Sequence, residues 1–196
     1  MALAFGAFAA SRSGQAGVRL AIGVFAAAAA AMLSRLIQAL MPDLPRPTVD
    51  PDLPFRRPYG GSPEYWRDWS SFPSDHATLL WGMAVATLLV NRRIGAVCVA
   101  VASLSSLARL YCGLHYATDI VGGALLGSAV VCAALAVAAA WEERLLAFAK
   151  QRPALVGTVA FLFGVQAATL FHDMRAIADV TARNVKELGA GSSGEP

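Results

Sequence analysis

Two of the three histidines in this 196-residue chain stand beside residues that could bind or transfer a phosphoryl group. His76 closes the run Pro-Ser-Asp-His and opens an apolar stretch, for which Ser74 is a suitable helix N-cap. The unpaired N–H groups at such a helix start attract anions. His115 lies four residues before Asp119, so a helix here would place both side chains on one face. Asp119 could then accept one imidazole proton and leave the other nitrogen as a nucleophile.

An arginine near the second histidine adds a group that suits phosphate. Arg109 ends an apolar stretch, and its planar guanidinium can hold two phosphate oxygens at once. Each candidate also has an ordinary structural explanation. A histidine at a helix end is usually a surface or capping residue, Ser74 could be an N-cap alone, and His115 with Asp119 could be a structural ion pair. Burying a carboxylate in an apolar sequence is unfavourable, so Asp119 is the stronger functional signal.

These two segments resemble the second and third signatures of the type 2 phosphatidic acid phosphatase superfamily. Those signatures read Pro-Ser-Gly-His, and Ser-Arg followed by five residues, His, three residues and Asp. Order, spacing and helical context agree, and the resemblance extends over residues 35–141. It implies that His115 attacks phosphorus, that Asp119 orients His115, and that His76 exchanges protons with the leaving oxygen and water. It also implies phosphate binding by Ser74 and Arg109, with no metal and no other cofactor.

The first signature of this family, Lys followed by six residues and Arg-Pro, is present only in part. Arg46 and Arg57 both precede a proline, and the lysine position holds Ala39 for the first and Asp50 for the second. Arg46 is the favoured phosphate-binding arginine, because only there does the lysine position fall at the end of an apolar segment. Arg57 remains the competing candidate.

Two further positions depart from the signatures. Asp75 replaces the glycine of the second signature, and Ala108 replaces the serine of the third. The missing lysine removes a phosphate-binding cation, and Asp75 adds negative charge near the site. Arg35, Arg56 or Arg57 could supply the lost positive charge.

The elements that must position these residues are membrane helices. Hydrophobic residues make up 57% of the chain and charged residues 15%, and the mean hydropathy is +0.54. A soluble domain of this length needs more charge to cover its surface. Apolar segments of about membrane-spanning length predict an all-α, polytopic transmembrane helix bundle with about five membrane segments. They cover about residues 18–41, 76–90, 94–110, 117–141 and 154–171.

The predicted organisation is one membrane domain with two flanking segments. Residues 1–16 are expected to form an interfacial N-terminal segment, and 17–172 a transmembrane phosphatase domain with a long polar loop over 42–75. Residues 173–196 are expected to form a polar tail with a disordered end. The short basic loops at Arg92–Arg93 and in the linker 142–152 predict a cytoplasmic face. The histidines would then lie on the extracytoplasmic face of the plasma (inner) membrane.

The expected partners are a lipid phosphate or polyprenyl diphosphate substrate and the lipid bilayer. No Lys/Arg-rich run points to nucleic acid, and three scattered cysteines suit neither a disulfide framework nor a zinc site. Two alternatives stay open. One is a metal-dependent membrane hydrolase that uses both histidines with Asp75 or Asp119 as ligands. The other is a phospholipid-binding or scaffold protein of the same fold without turnover, which the missing lysine favours.

Overall fold

The computed structural model describes residues 14–41, 44–56 and 70–152, and five α-helices occupy most of these ranges. No strand occurs within them, which confirms the predicted all-α class. Helices α1, α3 and α4 are long and apolar enough to cross a membrane, and α2 is a shorter apolar helix. The chain is therefore an integral membrane protein. The predicted apolar segment 154–171 and both flanking segments, 1–16 and 173–196, fall wholly or mainly outside the described residues. The helices are α1 (Gly14–Leu40), α2 (Asp75–Val90), α3 (Arg92–Tyr111), α4 (Ala117–Ala139) and α5 (Glu142–Gln151).

Helix α2 packs against α1, α3 and α4, and small residues bring these backbones close together. A Cβ added at Gly127 of α4 would overlap the backbone carbonyl oxygen of Thr78 on α2. A Cβ at Gly82 of α2 would come within 2.9 Å of the Cβ of Ala27 on α1. Within lipid, helix association depends on such close van der Waals packing, because the hydrophobic effect between helices is lost.

The outer faces of the helices are apolar, as a lipid environment requires. On α3, large exposed side chains recur every three or four residues, at Val97, Val101, Leu104 and Leu107. This spacing forms one stripe along a helix, and the residues that α3 buries are the small ones, Gly95, Ala102 and Ser106. Helices α1 and α4 expose comparable residues, namely Leu33, Leu36, Leu40, Val121, Leu125 and Val137.

A single residue, Asn91, connects α2 to α3. Its backbone N–H donates to the carbonyl oxygen of Thr87 at 2.7 Å, which closes α2. Its side chain accepts hydrogen bonds from the N–H groups of Arg93 and Ile94, which caps α3. Because so short a connection reverses the chain direction, the start of α2 and the end of α3 lie at the same end of the bundle.

The end of α1 also reaches this end of the bundle. The Ser34 hydroxyl and the Gln38 amide nitrogen, both buried, donate to the carbonyl oxygen of Pro73 just before α2, at 3.0 and 2.6 Å. The turn between α3 and α4 completes the arrangement. We call this the site end of the bundle; it comprises the end of α1, the loop 44–56, residues 70–76 and the turn 112–116.

The segment 142–152, expected to be a linker, instead forms the helix α5 over Glu142–Gln151. It contains no glycine or proline and is rich in strong helix formers, and these local preferences outweigh its polar character. Leu145 and Leu146 are half-buried whereas Arg144 is exposed, as in an amphipathic helix at a membrane surface. The linker after α4 is therefore helical and not a loop.

Candidate active site

His115 lies in the turn 112–116 that precedes α4, rather than on the helix itself. Its side chain is almost fully buried, and Nδ1 is 3.0 Å from the backbone carbonyl oxygen of Ser71. A carbonyl oxygen can only accept, so Nδ1 carries the proton and Nε2 carries the lone pair in the neutral ring. The tautomer required of a nucleophilic histidine is thus set by the backbone of the segment before α2.

Asp119, the predicted orienting residue, is close to His115 but is not its nearest partner. Its Oδ2 is 3.5 Å from Nδ1 and accepts a hydrogen bond from the backbone N–H of Tyr116 at 2.8 Å. The carboxylate therefore caps α4 and places a negative charge beside the buried imidazole. A positive charge that develops on the ring would be stabilised by this carboxylate across the short gap.

Arg46 occupies the other side of the imidazole. Its guanidinium is buried, and Nη1 donates to the carbonyl oxygen of Leu114 at 2.9 Å and lies 3.2 Å from Nε2 of His115. An arginine N–H can only donate, so this contact agrees with a lone pair on Nε2. Arg57, the competing candidate, lies outside the described residues. The structure therefore brings Arg46 to the histidine, as the first signature implies.

Arg46 keeps its positive charge although it is buried and two other arginines lie nearby. The pKa of Arg46 is lowered from 12.5 to about 10; burial is the largest cause and Arg35 and Arg109 add to it, whereas Asp75 and Asp119 oppose the shift. Arg46 therefore remains a cation at neutral pH. Arg35 and Arg109 therefore lie near enough to Arg46 for their positive charges to act on it.

Two contacts fix the loop that carries Arg46. The Thr48 N–H donates to the carbonyl oxygen of Gly113 at 3.1 Å, and the Tyr116 hydroxyl donates to Oδ2 of Asp50 at 2.6 Å. Gly113 has a φ of +64°, and the ring of Phe55 lies 2.5 Å from where its Cβ would be. A larger residue would be strained there and would displace the loop. The loop and the turn that holds His115 therefore support each other.

Ser74 is the N-cap of α2, as its position predicted. It has extended backbone angles, φ −68° and ψ 114°, and its Oγ accepts from the N–H of Ala77 at 3.4 Å. Its own N–H donates to the carbonyl oxygen of Asp119 at 3.0 Å. Ser74 therefore links the starts of α2 and α4, and its role in binding phosphate stays a prediction.

His76 is more accessible than His115: 13% of its side chain is exposed, against 1% for His115. Its Nδ1 is 2.8 Å from Oδ1 of Asp75, and its backbone N–H donates to the same oxygen at 2.8 Å. Oδ2 of Asp75 forms an ion pair with Nε of Arg35 at 3.2 Å. Among the candidates for the missing positive charge, Arg35 is thus engaged at the site, whereas Arg56 is exposed on the loop.

Several of these partners carry no signal in the sequence. The carbonyl groups of Ser71 and Leu114 bind His115 and Arg46 through backbone atoms, which any residue type could supply. The Tyr116–Asp50 contact joins residues 66 positions apart. Among the described residues, no three His, Cys, Asp or Glu side chains are grouped as metal ligands. Independence from metal stays a prediction.

A sequence model of the PAP2 superfamily matches residues 19–143. The chain is 40% identical over 53 residues to a protein named undecaprenyl-diphosphatase BcrC from Bacillus subtilis (strain 168), covering 27% of this chain and 28% of that protein. It is 34% identical over 58 residues to a protein named bacitracin transport permease protein BcrC from Bacillus licheniformis, covering 30% and 29%. These matches span less than a third of either relative, and no solved structure matches the chain. Since the family match covers more than half of the residues, this chain belongs to the PAP2 superfamily, the type 2 phosphatidic acid phosphatases that its motifs resemble.

Proposed function

We propose that this protein is a membrane phosphatase that hydrolyses a phosphate ester or diphosphate of a lipid through a phosphohistidine on His115. The observation that carries the proposal is the state of His115. Its Nδ1 donates to the carbonyl oxygen of Ser71, and its Nε2 lies 3.2 Å from the guanidinium of Arg46. A buried, neutral imidazole with its lone pair beside a cation is suited to attack a phosphorus atom whose oxygens that cation binds.

In the first step, the Nε2 lone pair of His115 bonds to phosphorus as the bond from phosphorus to the leaving oxygen breaks. His76 donates a proton to that oxygen. Arg46 and Arg109 neutralise the charge on the equatorial oxygens, which is the main requirement of phosphoryl transfer. The phosphorylated imidazole retains its Nδ1 proton and becomes positively charged, and the nearby Asp119 carboxylate stabilises that charge.

In the second step, water attacks the phosphorus of the phosphohistidine. His76, now deprotonated, accepts a proton from the water as it attacks. The bond between phosphorus and Nε2 breaks, inorganic phosphate is released, and His115 returns to its neutral form. His76 thus alternates between its protonated and neutral forms, and His115 between its phosphorylated and free forms. Each cycle uses one water molecule and hydrolyses one phosphate bond.

A polyprenyl diphosphate is the substrate class we favour among lipid phosphates. The site lies at one end of a bundle of apolar helices, where a lipid headgroup meets water. One relative is named for the hydrolysis of undecaprenyl diphosphate, a diphosphate on a long apolar chain. The opposite end carries the exposed Arg92, Arg93 and Arg144, which favours a cytoplasmic location for that end. The site would then face the extracytoplasmic side of the plasma membrane.

A phosphate-release assay on the full-length protein in detergent tests this function. We expect turnover of a polyprenyl diphosphate, with slower release from the polyprenyl monophosphate and from phosphatidic acid. Excess EDTA should leave the rate unchanged; loss of turnover that zinc or magnesium restores would support the metal-dependent alternative. Absence of phosphate release from every lipid, in protein that unfolds cooperatively, would instead support a binding or scaffold role.

A further inference from the structure

Asp75, which stands where the family signature has glycine, uses both of its carboxylate oxygens within the site. Oδ1 lies 2.8 Å from Nδ1 of His76 and accepts the His76 backbone N–H at the same distance. Oδ2 pairs with Nε of Arg35, and the residue as a whole is 8% exposed. A buried carboxylate with one oxygen on a histidine and the other on an arginine is a common arrangement for orienting an imidazole.

We propose that Asp75 is a positioning residue for His76, held in place by Arg35. Asp75 accepts the Nδ1 proton of His76, so Nε2 is the atom that gives a proton to the leaving oxygen and later takes one from water. Asp75 itself neither gains nor loses a proton in either step. This inference rests on the proposed phosphatase function. It assigns to Asp75 a role that the glycine of the signature cannot have, because glycine has no side chain.

Arg35 makes this arrangement compatible with an anionic substrate. Without it, only His76 would pair with the Asp75 carboxylate, close to where a phosphoryl group must bind. Arg35 is itself braced, because its Nη1 donates to Oε1 of Gln38 at 3.1 Å and the Gln38 amide donates to Pro73. The end of α1 therefore holds the start of α2 through a charged contact and a neutral one.

Other charged groups also lie near Asp75. Arg46 from the loop is attracted electrostatically to Asp75 and to Asp119 from α4, and it is repelled by Arg109 from α3. Asp75 contacts the His76 ring directly. An effect transmitted through His76 can therefore be separated from a general change in the charge of the site by its dependence on the leaving group.

The test compares kcat/KM for two aryl phosphates, p-nitrophenyl phosphate and phenyl phosphate, in wild-type protein and Asp75→Asn. This quantity reports the steps up to departure of the leaving group and excludes hydrolysis of the phosphohistidine. Nitrophenolate leaves without much help from an acid, whereas phenolate needs a proton more. We expect Asp75→Asn to lower kcat/KM by less than about threefold with p-nitrophenyl phosphate and by at least about thirtyfold with phenyl phosphate, a part of the effect of general acid catalysis. An equal loss with both substrates, or no loss, would overturn the proposal.

A double-mutant cycle distinguishes an effect that Asp75 exerts through His76 from a purely structural effect. In a His76→Ala background, adding Asp75→Asn should change kcat/KM for phenyl phosphate by less than about twofold, because the residue through which Asp75 acts is gone. A further large loss in that background would show a role independent of His76 and would refute the proposal. Asp52→Asn on the exposed part of the loop is the matched control and should retain wild-type activity. Absence of phosphate release from every lipid substrate by the wild-type protein would refute the phosphatase function itself, a distinct outcome.

Discussion

The guanidinium of Arg46 lies against the imidazole of His115, with Nη1 3.2 Å from Nε2, although 69 residues separate them in the chain. The contact places a fixed positive charge at the atom we assign as the nucleophile. It also joins the first signature of the family to the third, while the bond from His115 to the Ser71 carbonyl joins the third to the segment that leads into the second. The first and third signatures and the segment before the second therefore meet at one imidazole ring.

His115 should be indispensable for turnover. We expect His115→Ala to lower kcat by a factor on the order of a thousand or more, because no other group can form the covalent intermediate. The phosphate-release assay measures this, with thermal unfolding as the check on folding. His172→Ala, at a histidine without a partner at motif spacing, is the control. A His115→Ala protein within a few-fold of wild type would exclude the phosphohistidine mechanism.

Arg46 should matter more than Arg57. A charge-assisted contact to phosphate contributes on the order of 1.5–3 kcal/mol, so Arg46→Ala should lower kcat by roughly ten- to a hundred-fold. Arg57→Ala should have a smaller effect, and Arg93→Ala, at the opposite end of the bundle, should have none. The three variants are compared in one detergent with one lipid substrate. A larger loss at Arg57 would move the first signature to the second Arg-Pro pair.

The Tyr116–Asp50 hydrogen bond should stabilise the loop at neutral and mildly alkaline pH. Burial and Asp50 raise the pKa of Tyr116 from 10.0 to about 12. A folded-state pKa above the unfolded value gives a stabilisation that is complete below about pH 10 and is lost as pH rises towards 12. Tyr116→Phe should therefore lower the free energy of unfolding by about 1 kcal/mol, equally at pH 7 and pH 9. Thermal unfolding at pH 7, 9 and 11 measures it: the difference should be smaller at pH 11, and a difference that stays the same at pH 11 contradicts the raised pKa.

The site end should face the outside of the cell. A cysteine at Asp52, exposed on the loop, should react with an impermeant maleimide in intact cells. A cysteine at the exposed Arg93 should react only after lysis, because the basic turn belongs on the cytoplasmic side. The background must lack the native cysteines, which are Cys98, Cys112 and Cys132. The opposite labelling pattern would reverse the topology.

Close packing between α2 and α4 should make Gly127 intolerant of a side chain. Gly127→Ala would push a methyl group into the Thr78 backbone, and overpacking of this kind usually lowers stability by about 1–3 kcal/mol. Gly14→Ala is the control, because its nearest neighbour beyond the helix's own backbone would be a Leu146 methyl at an ordinary 3.7 Å. Thermal unfolding in one detergent compares the two. Equal stability of both variants would show that the helices can separate without penalty.

Residue types and their spacing predict the fold class and the reactions open to the candidate residues. Apolar segments of membrane length leave a helix bundle as the main option, and the structure confirms it over α1 to α4. Ser74 was identified as a helix N-cap because its type and position suffice for that role. Such features are local, so neighbouring residues reveal them. Helix α5 was not predicted, because its polar composition suggested a loop although its residues have strong helix preference.

Which of these groups are in contact depends on how the helices and loops pack. The sequence pairs His115 with Asp119 by spacing, yet the nearest acceptor for Nδ1 is the carbonyl oxygen of Ser71, 44 residues away. It offered several arginines for the lost lysine, and the packing of α1 on α2 brought Arg35 to Asp75. Backbone carbonyls are common to all residues, and contacts between distant segments depend on how the helices pack. The residue types therefore fix which reactions are possible, and the packing fixes which atoms take part.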